Sequence, residues 1–323
     1  MCAVFLYTRK AKIMKKLTMK KSNLTFEEGC EEYLNYCHAR NLREGTIKHY
    51  KESMTSIYRF IDPKTPLSSI DTATIDDFIL AMKTTLIIKD TTLYTYSRDL
   101  KTILRYFMKQ GYIKQFNINL IHADKEPIEC YSDSELNILL KKPNMKTCSF
   151  SEYKSWVIIN FLLSTGIRMN SLINIQIKDI DFDNDVIYIR TTKNRKSLII
   201  PLNRTIIRIL KEYLPIRQYN SENDYLFCNV FGKQLVKSTL YHSLRQYHFN
   251  RKINKTGIHR YRHTFAKKWI LKGGNVVTLQ KILGHSSLQM TQNYISMLTT
   301  DLENEVNKIN IINDFYNTHI SLK

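Results

Sequence analysis

Residues 283–295 read LGHSSLQMTQNYI, and the way this stretch folds decides what the rest of the chain is for. Gly284 holds the place of a left-handed residue that ends a helix. Ser286, with Gln289 three residues on, has the spacing of a capping box that opens the next helix. His285 is then pinned in the joint between two helices, and Tyr294 follows nine residues later, about two and a half turns away. One reading is a capping histidine and a core ring. The other is a histidine and a phenol brought to one reaction centre.

Two stretches upstream favour the second reading. HRYRHTFA (259–266) carries two pairs at the i, i+3 spacing of one helix face, His259 with Arg262 and Arg260 with His263. Either pair sets an imidazole beside a guanidinium, a combination suited to gripping phosphate, and spacing alone does not choose between them. STGIRMNSL (164–172) sets Arg168 just past a glycine turn, near a helix start, where arginine and a helix N-terminus both favour phosphate.

Composition points the same way. The chain of 323 residues is long enough for two domains, and 43% of it is apolar, a globular proportion. Lys and Arg total 49 against 29 acids, a net charge of +20. Such an excess favours an extended polyanion, of which nucleic acid is the commonest. The rival, a membrane, finds no apolar run near the roughly 18 residues of a spanning helix. The start, MCAVFLYTRK, puts a short apolar run before charge, the reverse of a secretory signal. Six cysteines, Cys2, Cys30, Cys37, Cys130, Cys148 and Cys228, include no C-x-x-C pair, which reads as reduced cytosolic thiols without structural zinc.

The pattern divides the chain. Residues 1–24 form a basic N-terminal extension, with RKAKIMKKLTMKK at 9–21 either a solvated tail or a DNA-touching arm. From Thr25 the sequence turns helical, with Phe26, Cys30, Tyr33, Leu34 and Cys37 on one face. Further helices are expected over about Glu44–Ile61, Asp71–Met82 and Thr91–Gln110, so 25–112 reads as a small all-α domain. Its Arg40, Arg43, Lys48, Lys51, Arg98, Lys101 and Arg105 are candidates to line a DNA-facing side. Residues 113–131, polar and mixed, read as a linker. Ser132 and Glu135 then match a capping box. An apolar helix over about Glu152–Ser164 follows, then two strand-like runs at 185–189 and 197–202 joined by the basic RTTKNRK, then helices. The expected fold is mainly α with a small antiparallel β-sheet.

The order Arg168, hairpin lysine, His259-x-x-Arg262, His285, Tyr294 resembles the tyrosine recombinase (phage integrase) family. TGIR resembles its first arginine box, HRYRHTFA its H-x-x-R-H-T-F-A box, and LGHSSLQMTQNY its L-G-H-S-S-x-x-x-T-x-x-Y box. The match spans about Ser132 to Met297, and 25–112 resembles the family's core-DNA-binding domain more loosely. The resemblance implies an all-α core-DNA-binding domain and an α+β catalytic domain (132–298) forming a C-shaped clamp on double-stranded DNA.

The resemblance also implies roles. Tyr294 would attack the scissile phosphate, forming a 3′-phosphotyrosine and releasing a 5′-hydroxyl. Arg168 and Arg262 would bind the non-bridging oxygens. His259 and His285 would add hydrogen bonds, with His259 accepting the tyrosine proton. A hairpin lysine would protonate the leaving oxygen. No metal or cofactor is expected, because the bond energy is kept in the phosphotyrosine. His263 is read as structural. The chain departs from the family pattern in three places. Ser171 stands where Glu is usual, and Arg260-Tyr261 replace the common Asp-Leu. The hairpin lacks G-K-G, so the general acid is Lys193, where the resemblance places it, or Lys196, otherwise read as a DNA contact.

A recombinase serving DNA integration or excision by a mobile element (an integrase or transposase) is the leading expectation, and the Ile-, Lys- and Asn-rich composition suggests an AT-rich genome. The alternatives are a chromosome-dimer-resolving recombinase and a DNA-binding protein on the same fold that does not cut; a type IB topoisomerase is a distant third. The expected location is the bacterial cytoplasm, at the nucleoid. Residues 299–323 contain Leu302, Val306, Ile309 and Asn313 at helical spacing, with Ile312 joining the same stripe. They are either a helix folded on their own domain or a tail exchanged between protomers of a homo-tetramer on DNA, which an accessory directionality or DNA-bending factor would assist.

Overall fold

The computed structural model describes residues 24–124, 128–190, 197–289 and 291. The chain divides into two compact units, Met1–Glu126 and Pro127–Lys323.

In the first unit, Thr25 caps helix α1 (Phe26–Ala39). Its hydroxyl accepts the Glu28 N–H while the Glu28 carboxylate takes the Thr25 N–H, a reciprocal box that satisfies two donors the helix leaves open. Phe26, Cys30, Tyr33 and Cys37 are buried as their spacing predicts, and Leu34 packs at the edge. Helix α2 (Glu44–Ile57) stops four residues short of the expected Ile61. The chain loosens into turns over 58–60 ahead of Pro63, whose ring disfavours helix before it. Helix α3 (Thr72–Thr85) is capped by Asp71. Helix α4 (Asp90–Gln110) ends on Gly111 and sends Leu93, Leu100, Ile103, Leu104 and Phe107 into the shared core. The stretch expected to be a linker is partly core: Ile113 and Ile118 are buried in this unit, and Tyr131 in the next. Its polar composition hides those anchors.

In the second unit, Ser132 and Glu135 form the expected capping box at α5 (Asp133–Leu140). Helix α6 (Phe150–Thr165) is buried on nearly every side, as an all-round apolar helix must be, and it is the post around which the unit packs. Helix α7 (Met169–Leu172) is a single turn, so Arg168 sits at a helix start with little dipole behind it. The sheet has three antiparallel strands, β1 (Ile180–Asp181), β2 (Val186–Ile189) and β3 (Leu198–Pro201), in that order. The expected hairpin is β2–β3, with Ile187 opposite Ile200 and Ile189 opposite Leu198. Ile187, Ile189 and Ile200 face the core while Tyr188 and Ile199 face out, the period-2 alternation of a half-buried sheet. Two-residue β1 is too short for any periodicity to announce it. Helices α8 (Arg204–Arg217), α9 (Lys237–Phe249), α10 (Ile258–Leu271) and α11 (Val276–Leu283) follow, and α10 packs against α6.

Candidate active site

Two glycines build the site. Gly166 ends α6 at φ +60° and Gly284 ends α11 at φ +59°, the left-handed conformation that side chains resist. At Gly284 the bonds are those of a Schellman motif: the Gly284 N–H reaches the Lys281 carbonyl and the His285 N–H reaches the Gln280 carbonyl, at 3.0 and 3.1 Å. Both turns bring helix-end carbonyls, the negative ends of the helix dipoles, to one place. A Cβ on Gly166 would lie 2.4 Å from Phe265 and 2.9 Å from Leu283, so the α6 end, α10 and α11 approach closely only because this residue has no side chain.

These carbonyls hold two guanidinium groups. Arg262, buried on α10 at 4% exposure, donates from Nη1 to the Gly166 carbonyl at 2.7 Å and from Nη2 to the Leu283 carbonyl at 2.8 Å. Arg168 donates from Nη1 to Leu283 O at 3.1 Å and Gly284 O at 3.4 Å. Sharing the Leu283 carbonyl brings both cations beside His285. The Nε2 of His285 accepts from Arg262 Nη2 at 2.8 Å, and its Nδ1 lies 2.8 Å from Thr291 Oγ1. A guanidinium can only donate, so in the neutral ring the proton sits on Nδ1 and points to Thr291. Burial, then Arg262 and Arg168, push the His285 pKa down to about 4. The imidazole is therefore neutral at physiological pH and orients Arg262.

Arg168, Arg262 and His285 line a cavity of about 340 Å³ that also meets Ser171, Ser197 and Leu198. Ser171, where the family pattern has Glu, is thus at the site, and so is the foot of the β2–β3 hairpin. His259 is exposed on α10, one turn before Arg262. His263 is half-buried, and burial with the charges of His259 and Arg262 lowers its pKa. Arg260 is elsewhere: it donates to the Glu129 carbonyl and sits over the Tyr131 ring. Of the two equally spaced pairs, the structure sets Arg262 beside Arg168. Lys193, Lys196, Tyr294 and the tail 299–323 lie outside the described residues. Ser197, which follows Lys196, is on the cavity wall, and Tyr294 comes three residues after Thr291.

On the first unit, Lys48 and Lys51 share one face of α2 by spacing, and Arg98, Lys101 and Arg105 share one face of α4. His49 Nε2 lies 2.7 Å from the buried carboxylate of Asp99, which joins the two helices beside those stripes. Lys48, Lys51, Arg98 and Arg105 are exposed. Lys101 turns its ammonium onto the Ile118 carbonyl. Arg40 lies over the Tyr36 ring at 5.4 Å, and Arg43 precedes α2 as its cap residue. The sequence reading missed His49. It also missed a basic stretch of the second unit: residues 225–300 hold twelve Lys and Arg and no Asp or Glu, a signal a charge count by segment would have found.

The model of the phage integrase family matches residues 132–300, the stretch that contains the two arginines, His285 and the hairpin. The chain belongs to the phage integrase family. Residues 25–121 match the phage integrase SAM-like domain. The chain is 37% identical over 156 residues to the tyrosine recombinase XerA of Saccharolobus solfataricus, a stretch covering 47% of this chain and 49% of that protein. It is 32% identical over 210 residues to a probable integrase/recombinase of Acholeplasma phage L2, covering 62% and 70%. A tyrosine recombinase XerD of Staphylococcus haemolyticus aligns at 26% identity over 86% of this chain and 97% of its own. The tyrosine recombinase fold is shared with the Tn1549 transposon integrase, solved with a circular intermediate DNA (TM-score 0.70, 22% identity, covering 87% of this chain and 99% of that one). This family member is thus a tyrosine-type, site-specific DNA recombinase by descent. Among the described residues no helix is long and apolar enough to cross a membrane.

Proposed function

We propose that this integrase-family chain cuts and rejoins DNA for a mobile element, with Tyr294 as the nucleophile. The observation that carries the reading is the convergence of Arg168 and Arg262 on one cavity beside His285. Two preorganised cations there can hold the non-bridging oxygens of a scissile phosphate and stabilise the charge that develops on attack. Tyr294 enters nine residues past His285. His259 takes the phenolic proton. Lys193 (with Lys196 the alternative) protonates the leaving 5′-oxygen, and no high-energy cofactor is needed because the phosphotyrosine conserves the bond.

Residues 25–112 act as the core-DNA-binding domain through Arg40, Arg43, Lys48, Lys51, Arg98, Lys101 and Arg105, and 132–298 as the catalytic domain. Both bind the duplex, in the bacterial cytoplasm. Strand exchange needs coordinated sites, and the stripe of Leu302, Val306, Ile309 and Ile312 suits a tail passed to the next protomer of a tetramer. A ring of such heterologous contacts closes without a free end. The near full-length alignment with a XerD protein favours a second reading, resolution of chromosome dimers by the same chemistry. Incubation with a nicked duplex carrying the element's ends tests the first reading: a protein–DNA adduct stable in detergent is expected. An adduct confined to a chromosomal site transfers the chain to the second reading, and DNA binding without any adduct makes it a non-cleaving protein.

A further inference from the structure

Arg260 and Tyr261, the two residues that depart from the family box, make contacts that the chemistry above does not use. Both attach α10 to the segment 128–132, which follows the point where the chain enters the second unit. Arg260 donates to the Glu129 carbonyl, pairs with the Glu129 carboxylate at 3.9 Å and lies 5.9 Å over the Tyr131 ring. The Tyr261 ring packs on Tyr131 with centroids 4.8 Å apart. The Tyr131 N–H donates to Thr264 Oγ1 at 3.0 Å, one turn further along α10. Lys255, in the loop entering α10, pairs with Glu129 and, at 3.2 Å, with Glu135.

A second chain of bonds locks the other side. His248 Nδ1 lies 2.6 Å from the Lys255 carbonyl. A carbonyl only accepts, so the proton of the neutral ring is on Nδ1, and Nε2 accepts from the Tyr261 hydroxyl. His248 and Tyr261 are buried, at 1% and 0% exposure. The start of α10 is thus clasped between 128–132 and the end of α9, and the first two turns of that helix carry His259 and Arg262.

We propose that 128–132 is a clasp that sets the seat of α10, with Arg260 and Tyr261 as positioning residues for His259 and Arg262. The proposal rests on the recombinase reading for its catalytic consequence, and on geometry alone for its mechanical one. An ångström at a phosphate site changes rate steeply while leaving affinity, spread over many contacts, almost unmoved. In Arg260→Ala, single-turnover cleavage of prebound DNA is expected to fall on the order of tenfold with the Kd within about twofold. Arg260→Lys, which keeps a cation for Glu129, is expected to recover most of the loss. Hydrogen exchange supplies a readout independent of cutting: amides 258–264 should exchange at least about threefold faster in Arg260→Ala, with α6 amides unchanged. Cleavage and exchange both at wild-type rates would overturn the clasp. A weaker Kd with an unchanged rate from the bound state would overturn it too, making Arg260 a DNA contact. Failure of the wild-type protein to form an adduct sinks the recombinase reading instead, and the exchange measurement still decides the clasp.

Discussion

Helix α2 of the first unit and the site of the second carry positive charge in opposite ways. In the second, Arg262 is buried and held by two backbone carbonyls and an imidazole, and Arg168 shares one of those carbonyls. In the first, Lys48 is 77% exposed and meets Glu52 only at 3.8 Å, with Glu52 itself 67% exposed, a pairing worth close to nothing in water. Fixed cations suit a reaction, because charge developing at a phosphate gains most from donors that need not reorganise. Loose cations suit a grip on a polyanion, where released counterions supply the free energy and register is not demanding. On the proposed function, burial would separate the cations of the chemistry from those of the grip.

The contrast breaks first, if it is wrong, at Arg262. Arg262→Ala should slow cleavage by roughly 10²-fold or more with DNA affinity little changed, measured on prebound duplex. A loss under about threefold would mean burial has not made this cation special. Next in size is Gly166→Ala. The left-handed φ and the 2.4 Å approach of Phe265 together predict about 2–5 kcal/mol of destabilisation, read by denaturant unfolding of the second unit's signal. A change below about 1 kcal/mol would show that the α6–α10 seam yields easily. Smaller again, Lys48→Ala and Lys51→Ala should each lower the slope of log affinity against log salt by about 1 without altering sequence preference; an unchanged slope would remove that residue from the interface.

The smallest effect is on pH. His285 has its pKa depressed to about 4, so the unfolded chain binds more protons than the folded one between there and the ordinary value near 6.5. Stability from this residue is then present above about 6.5 and lost as pH falls towards 4. His285→Gln should flatten the acid limb of a melting-temperature profile, and an unaltered limb would place the depression elsewhere.

Much of this was legible beforehand, where one local rule governs. The face of α1 follows from period 3.6, and the turn at Gly284 from a glycine after an apolar helix. Ser132 and Glu135 announce their own cap. What was not legible depends on tertiary partners. Arg260 and Arg262 have the same kind of spacing, and only the seat of α10 against Tyr131 on one side and Gly166 on the other separates them. The tautomer of His285 is set by Arg262 and Thr291, 23 residues before it and 6 after. His49 has no local signal on α2, and its partner, Asp99 of α4, is 50 residues away in sequence.

The chemistry assigned to Tyr294 is open to direct mapping. Between Lys281 and Lys308 the chain holds a single tyrosine, Tyr294, so trypsin releases it in a peptide of its own. Digestion of the covalent complex, followed by nuclease and mass spectrometry, should find a nucleotide phosphate on the 282–308 peptide. Tyr294→Phe should bind the same duplex and form no adduct. A phosphotyrosine on any other peptide, or normal cleavage by Tyr294→Phe, would contradict the account.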